Sequence, residues 1–225
     1  MFENMIPNIQ KVLLRYSGLF AQGLGFTLLL SALSVMGGTV FGSLLALMRR
    51  SRFAPARLVA TAYVEVVRGT PLLLQLYFFY FMLPEMLPML QLSKFASIAI
   101  ALLFNSAGYV CEIVRAGIAA VDPGQAEAAR SLGLSGSQCM RRIVLPQAVR
   151  NILPALCNEF VAVIKETSLA STFFVGDLMT QYNVVRGNMF LVFEPLIVVG
   201  VVYFMLTFSL SKAVAMLERR LKAGD

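Results

Sequence analysis

The chain has 225 residues, of which 58% are hydrophobic and only 14% are charged, and its formal net charge is +7. A water-soluble domain usually carries about 25% charged residues, so the composition argues for a membrane protein. The basic residues stand in short clusters between apolar blocks, which is typical of topology signals and unlike the basic, aromatic-interleaved stripe that binds single-stranded nucleic acid.

Apolar blocks long enough to cross a bilayer, which takes about 20 residues for a helix, recur along the chain. The first is uncharged over residues 16–48, and it exceeds the apolar core of a signal peptide, so we expect it to stay in the protein as a span. Five spans are predicted, over residues 20–48, 58–83, 95–113, 152–174 and 190–211. The prediction is an all-α membrane protein, with residues 1–225 forming a single transmembrane domain.

Two glycines in the first span lie one helical turn apart. Gly38 and Gly42 form a GxxxG step, which lets a second helix approach closely. We interpret them as packing residues.

Basic clusters indicate which connecting segments face the cytoplasm. Three of the segments outside the spans hold several basic residues each. In the remaining two connections, between spans two and three and between spans four and five, the only basic residues are Lys94 and Arg186. By the positive-inside rule the basic segments and the C-terminus are cytoplasmic, and five spans then put the N-terminus outside, although Lys11 and Arg15 weakly oppose this. The clusters follow spans one, three and five and contain Arg49, Arg50, Arg52, Arg57; Arg115, Arg130, Arg141, Arg142, Arg150; and Lys212, Arg219, Arg220, Lys222.

The polar connection over residues 122–150 is predicted to be a structured cytoplasmic loop. It opens with a turn at residues 122–124, and residues 125–132 are rich in helix formers. Gly133 follows, where a glycine commonly ends a helix.

A second short helix is predicted in the same loop. Ser137 would cap it, and it would extend through Ile143. Pro146 and Pro154 would then interrupt the approach to span four. Two short helices around a glycine bend make a compact projection that could dock into a groove of another protein.

The same loop carries a known motif. Its fixed positions resemble the EAA signature of ABC importer permeases: EAA, three residues, Gly, nine residues, Ile, one residue, Leu-Pro. Further similarity to the polar amino acid permeases, of the histidine, glutamine and arginine type, covers about residues 19–215. It rests on residues 23–28, 68–71 with Gln75, 112–117, 124–125 and 165–169. The matched EAA positions are Glu127, Ala128, Ala129, Gly133, Ile143, Leu145 and Pro146.

This resemblance implies the fold and the partners. Such permeases have a five-helix, MetI-like core of the type I importer fold and are multi-pass proteins of the bacterial inner membrane. They pair as homodimers or heterodimers, bind two ATPase subunits through the EAA helix and receive a polar amino acid from a solute-binding protein outside. Gly133 would permit the bend of this coupling helix, and Glu127 would help to dock it.

The nucleotide is expected on the partner ATPase. The chain contains no GxxxxGK[ST] phosphate loop. We therefore expect a transport component with no catalytic residue and no cofactor of its own, with ATP and Mg²⁺ bound by the ATPase.

Charged residues inside spans are costly and usually face a wet cavity or one another. Glu159 and Glu166 are seven residues apart and so lie on one helix face. One interpretation is a polar path for zwitterionic amino acids between spans two and four; the other is ion pairing, Arg68 with Glu65 or Lys165 with Glu166. The hydroxyl and amide groups among the path residues, those of Thr70, Gln75, Thr167 and Ser168, could equally form hydrogen bonds to neighbouring helices. The predicted path residues are Arg68, Thr70, Gln75, Glu159, Lys165, Glu166, Thr167 and Ser168.

Glu112 and Arg115 are three residues apart near the cytoplasmic end of span three. An ion pair within one helix explains them more simply than a gate does.

Metal chemistry is not expected. The chain has no histidine, and Cys111, Cys139 and Cys157 lie far apart with no CxxC pair. This argues against a zinc site and favours idle thiols.

Two other functions share some of these features. A carrier or channel driven by an ion gradient would use the charges in span four but leaves the EAA loop unexplained. A membrane scaffold explains the loop but not the ionisable residues in spans two and four. A type I ABC permease for a solute other than an amino acid is a third alternative.

Overall fold

The computed structural model describes residues 4–222, and all regular structure over this range is helical. Residues 1–3 and 223–225 of the predicted domain lie outside the described residues. The α-helices are α1 (Met5–Arg49), α2 (Ala54–Gly69), α3 (Leu72–Met86), α4 (Lys94–Ala119), α5 (Pro123–Ser131), α6 (Gly136–Cys139), α7 (Leu145–Glu166), α8 (Leu178–Met189) and α9 (Phe193–Lys222). Short 3₁₀ segments cover Pro88–Leu90 and Thr167–Phe173, and a π segment covers Met140–Val144.

Three of the described helices, α1, α4 and α9, are long and apolar enough to cross a membrane. The bent pair α2 and α3 would make a fourth span if the two helices are counted together. The prediction of an all-helical membrane protein is confirmed, while the count of five spans stays a prediction. The predicted fourth span falls on α7 and the 3₁₀ segment after it.

Helix α1 begins at Met5 rather than near residue 20 and is 45 residues long. At 1.5 Å per residue it measures about 68 Å, roughly twice the thickness of a hydrocarbon core. Its extra turns bury Val12, Tyr16 and Phe20 in an apolar cluster with residues of α8 and α9. The helix extends beyond the predicted span because this part is stabilised by tertiary packing rather than by continuous hydrophobicity.

The predicted second span is two helices, so its prediction as one continuous span was wrong. Thr70 (φ −119°, ψ 146°) and Pro71 (φ −61°, ψ 135°) are extended between α2 and α3. Proline disfavours a helical conformation of the residue before it, which explains the break. Pro71 then starts α3 by accepting a hydrogen bond from the Gln75 amide, at 3.2 Å.

The prediction of a separate second helix in the loop was also wrong. Ser135, not Ser137, caps α6, in a capping box in which its hydroxyl accepts from the Gln138 amide and the Gln138 side chain accepts from the Ser135 amide. Helix α6 then continues through the π segment into α7.

Pro146 and Pro154 consequently lie inside helical structure. A proline at position 146 cannot donate to a carbonyl one turn earlier and would crowd it in a regular α-helix. The π segment ends at Val144, two residues before Pro146, and its wider turn has the Leu145 amide donating to the carbonyl of Met140. We attribute the π segment to this proline.

Helix α8 was not predicted, because its polar side chains resemble a loop. Its cap, Asp177, is fully buried and accepts hydrogen bonds from the amides of Met179 (3.0 Å) and Thr180 (3.3 Å). The Leu178 amide donates to the hydroxyl of Thr27 on α1, at 3.1 Å. Buried polar contacts therefore hold this helix against α1.

The chain divides into two compact units, which are described separately. The first unit contains the described residues of Met1–Ser34, with Pro71–Leu103 and Phe160–Ser211. Besides the α1, α8 and α9 cluster, its core includes Leu30, Leu76, Ile98, Ala101, Leu102, Ala170 and Phe173.

The second unit contains Val35–Thr70, Phe104–Glu159 and the described residues of Lys212–Asp225. Its largest core cluster joins the ends of α4 and α7 to the loop, through Val121, Ala129, Cys139, Val144, Ala148 and Ile152. A smaller cluster contains Ala46, Val64 and Cys111.

In the second unit α1 and α4 touch at the two glycines. A Cβ atom on Gly42 would lie 2.7 Å from the carbonyl oxygen of Ala107 and 2.7 Å from the Cβ of Val110. One on Gly38 would lie 2.7 Å from the Ser106 hydroxyl oxygen. The prediction that these glycines serve helix packing is confirmed.

We expect Gly42→Ala to lower the thermal midpoint of the detergent-solubilised protein. The added methyl would meet backbone, and overpacking of this kind costs about 1–3 kcal/mol. Gly18→Ala in the same helix is the matched control, since its Cβ would meet nothing within 4 Å. Equal midpoints for the two variants would show that α1 and α4 are not in close contact here.

Candidate functional site

The loop helix α5 is fixed at its start by its own side chains. Asp122 is its N-cap, and the Oδ1 of this residue accepts a hydrogen bond from the Gly124 amide at 2.9 Å. Pro123 occupies the first turn, where the missing N–H is no loss. The turn predicted at residues 122–124 is therefore the capped beginning of the helix.

The bend after α5 is a Schellman motif with Gly133 at the left-handed position. Gly133 has φ +80°, its amide donates to the carbonyl of Arg130 at 2.9 Å, and the Leu134 amide donates to Ala129 at 3.1 Å. A side chain here would meet nothing within 4 Å, so the position selects glycine by backbone conformation alone. The predicted glycine bend is confirmed.

The seven EAA positions divide into a buried set and an exposed set. Ala129 is buried and Ile143 packs against the same apolar cluster, so these two hold the loop to the unit. The exposed positions are Glu127, Ala128, Gly133, Leu145 and Pro146. Only the second group is available to a partner.

One exposed residue of this surface was missed in the sequence. The side chain of Leu132 is 84% exposed, directly before Gly133 and one helical turn after Ala128. A large apolar residue at the end of an otherwise small and polar helix was the available signal.

The loop is firmly attached to the helices on either side. Ile113, Val114 and Ile118 of α4 pack against the cluster that buries Ala129 of the loop and Ile152 of α7. Gly117 of α4 permits this contact, since a Cβ there would lie 2.4 Å from Ile152. The loop, α4 and α7 therefore share one apolar cluster.

Glu112 is the centre of an ionic cluster in the second unit. Its Oε2 accepts from Nη2 (2.7 Å) and Nε (2.9 Å) of Arg115, and its Oε1 accepts from Arg49. The guanidinium of Arg68 lies 3.8 Å from Oε2 and 5.8 Å from the ring centre of Tyr109. The predicted pair of Glu112 with Arg115 is confirmed, and Arg49 and Arg68 are additional members.

The other predicted path residues of the second unit make local contacts. Glu159 is partly buried in α7 and accepts a hydrogen bond from the Ser106 hydroxyl of α4, at 3.1 Å. Thr70 is the C-cap of α2, and its hydroxyl donates to the Val66 carbonyl, at 2.8 Å. Arg68 and Glu159 are the oppositely charged members of the predicted path in this unit.

The remaining predicted path residues lie in the first unit. Lys165 is exposed and Glu166, the last residue of α7, is partly buried. Thr167 is fully buried, and its hydroxyl donates to the Ile164 carbonyl at 2.7 Å. This hydrogen bond satisfies the buried hydroxyl without a substrate. Gln75 and Ser168 are partly buried.

The pairings suggested from sequence are not found in the described part of the chain. No ion pair there joins Arg68 to Glu65 or Lys165 to Glu166. Within residues 4–222, no three side chains of His, Cys, Asp or Glu come together as a metal site.

Comparison with known families identifies one match over most of the chain. Residues 38–223 match the family model described as "Binding-protein-dependent transport system inner membrane component". The chain is 38% identical over 224 residues to the arginine transport system permease protein ArtQ of Bacillus subtilis, covering 100% of this chain and 98% of that protein. It is 39% identical to the probable glutamine ABC transporter permease protein GlnM of the same organism, covering 91% and 94%.

Solved structures agree with this. "Crystal structure of an amino acid ABC transporter with histidines" contains a chain that superimposes with a TM-score of 0.87 at 43% identity, covering 92% of this chain and 96% of that one. A chain of the MetNI methionine ABC transporter in an inward-facing conformation gives a TM-score of 0.66 at 20% identity, covering 89% and 97%. The second likeness shows a shared fold, which is MetI-like.

We expect Gly133→Ala to destabilise the loop bend, because the left-handed conformation costs alanine about 1–2 kcal/mol of conformational free energy. Hydrogen exchange of the Leu134 amide should become about tenfold faster. Gly133→Asn should change it less, because asparagine tolerates this conformation. Gly136→Ala is the control, at a glycine in the same loop with open space and an ordinary backbone angle. Unchanged exchange in Gly133→Ala would contradict the assignment of the bend.

Proposed function

This chain belongs to the family of binding-protein-dependent transport system inner membrane components, and we propose that it moves polar amino acids into the cell by alternating access. It is a multi-pass inner membrane protein and the permease subunit of an amino acid ABC importer. It is a transport component without catalysis of its own, and ATP is used by the partner ATPase. The mechanism is inferred from the exposed EAA residues Glu127 and Ala128, which lie on a loop anchored to α4 and α7.

The proposed topology has five spans, with the N-terminus outside and the C-terminus in the cytoplasm. The spans are α1, the α2 and α3 pair, α4, α7 with its 3₁₀ extension, and α9. The basic residues after α1, in the α5 loop and at the end of α9 support this orientation by the positive-inside rule.

The α5 loop is proposed to be the contact with an ATPase subunit. Glu127, Ala128 and Leu132 supply an exposed surface of one charge and two apolar groups. Ala129 and Ile143 keep that surface fixed to the core. Movement of the ATPase subunits would displace α5, and with it the ends of α4 and α7, which opens the permease alternately to each side.

The proposed assembly contains two ATPase subunits, a second permease subunit that is identical or homologous, and a solute-binding protein outside. The family description itself names dependence on a binding protein. The pairing of permeases and the number of ATPases follow from the resemblance to type I importers.

The proposed substrate path uses groups that match an amino acid zwitterion. Such a substrate needs a cation for its carboxylate and an acceptor for its ammonium group. Arg68 and Glu159 supply these charges within the second unit. From the sequence pattern, Thr70, Gln75, Lys165, Glu166 and Ser168 are proposed as further substrate-contacting residues, whereas the full burial of Thr167 and its internal hydrogen bond favour a structural role. The relatives named for arginine and glutamine support a polar amino acid as substrate.

The first test is uptake of labelled arginine, histidine, glutamine, glutamate and cystine by cells that carry the chain with its native partners. We expect ATP-dependent uptake of one of these compounds, abolished by Gly133→Arg because arginine is strained at φ +80°. Gly136→Arg, in open space in the same loop, should keep uptake.

Normal uptake by Gly133→Arg would refute the role of the loop in coupling. No uptake of any compound by the unaltered chain, inserted with its partners present, would refute the proposed substrate class.

A second test separates substrate contact from helix packing at Glu159. Loss of a charged contact to substrate should raise KM about tenfold in Glu159→Gln. Ser106→Ala removes only the hydroxyl that donates to Glu159 and should leave KM nearly unchanged. Equal effects of the two substitutions on KM would favour a purely structural Glu159.

A further inference from the structure

The Glu112 cluster joins three helices of the second unit at one carboxylate. Arg49 is the last residue of α1, Arg68 lies in the last turn of α2, and Arg115 follows Glu112 on α4. The side chains of Arg49 and Glu112 are only 19% and 18% exposed. A charge-assisted contact shielded from water in this way is stronger than an ion pair on an open surface.

The charges of the cluster do not balance. Three guanidinium groups, each +1, face one carboxylate of −1, so the four side chains carry +2. Without Glu112 the three arginines would repel one another. The carboxylate is therefore the group that allows the ends of α1, α2 and α4 to lie together.

The position of Glu112 on α4 connects this cluster to the loop. Its immediate neighbours Ile113 and Val114 pack against the apolar cluster that contains Ala129 of α5. One short stretch of α4 thus contacts the loop through its apolar side chains and the ends of α1 and α2 through its carboxylate.

We propose that Glu112 is a positioning residue of the transport cycle, which makes the ends of α1 and α2 move together with α4 when the loop is displaced. The proposal rests on the proposed function, since it requires an ATPase that displaces the loop. Glu112 transmits this displacement without contacting nucleotide or substrate. The contacts of Glu112 with Arg49 and Arg115 stay closed throughout the cycle, in contrast to a gate, which would open and close.

The first experiment measures ATP hydrolysis and amino acid transport together, in proteoliposomes that contain the assembled transporter. We expect Glu112→Gln and Arg49→Gln to continue hydrolysing ATP while transport per ATP falls about tenfold. Arg49→Gln keeps the carboxylate paired with Arg115, so it reports on the contact with α1 even if Glu112→Gln does not assemble. Glu65→Gln, at an exposed acid of α2, is the control and should keep the normal ratio.

The outcomes separate the two proposals. If the unaltered complex does not transport amino acids, the proposed function fails. If it transports them and the Arg49→Gln variant moves as many per ATP, the positioning role of Glu112 is refuted while the proposed function stands. A merely structural role would lower the amount of assembled protein but not the transport per ATP of the complexes that form.

The second experiment replaces the ion pair by a covalent link. The double variant Arg49→Cys and Glu112→Cys is made in a chain whose native Cys111, Cys139 and Cys157 are replaced by alanine, and a bifunctional thiol reagent joins the two sites. We expect the cross-link to restore the transport per ATP that the unlinked variant loses. A cross-link that stops transport would show that the pair must open in each cycle, which overturns the proposal in favour of a gate.

Discussion

A chain in lipid has to satisfy its own backbone hydrogen bonds, and the rest of this structure follows from that requirement. The long apolar blocks are therefore helical, and the informative places are those where a regular helix is interrupted. Pro71 ends α2 by forcing Thr70 into an extended conformation, Gly133 ends α5, and a π segment precedes Pro146. Each interruption coincides with a residue that the proposed path or the proposed ATPase contact uses.

The loop helix α5 also depends on contacts outside its own backbone hydrogen bonds. A short helix such as α5 would be marginal alone, since isolated helices of this length are not stable in water. Its cap at Asp122, its glycine end and the burial of Ala129 together hold it in place. The exposed residues Ala128 and Leu132 are then available to contact a partner, because other residues stabilise the helix.

Charged groups serve the second unit in a different way from apolar ones. The apolar cluster around Ala129 joins the loop to α4 and α7, whereas Glu112 joins α4 to the ends of α1 and α2. Apolar packing is non-directional, but the Glu112 carboxylate fixes orientation through directed hydrogen bonds from Arg49 and Arg115, with Arg68 as a longer ionic contact at 3.8 Å. The two kinds of contact meet on adjacent residues of α4.

The sequence by itself determined the membrane class, the spacing of the EAA positions and the glycine bend, because hydrophobicity and the backbone preference of Gly133 act within short windows. The tertiary structure alone decided that α1 begins at Met5, that α8 forms and that Arg49 and Arg68 share one acid. These features depend on partners distant in the sequence, whose positions no local pattern encodes.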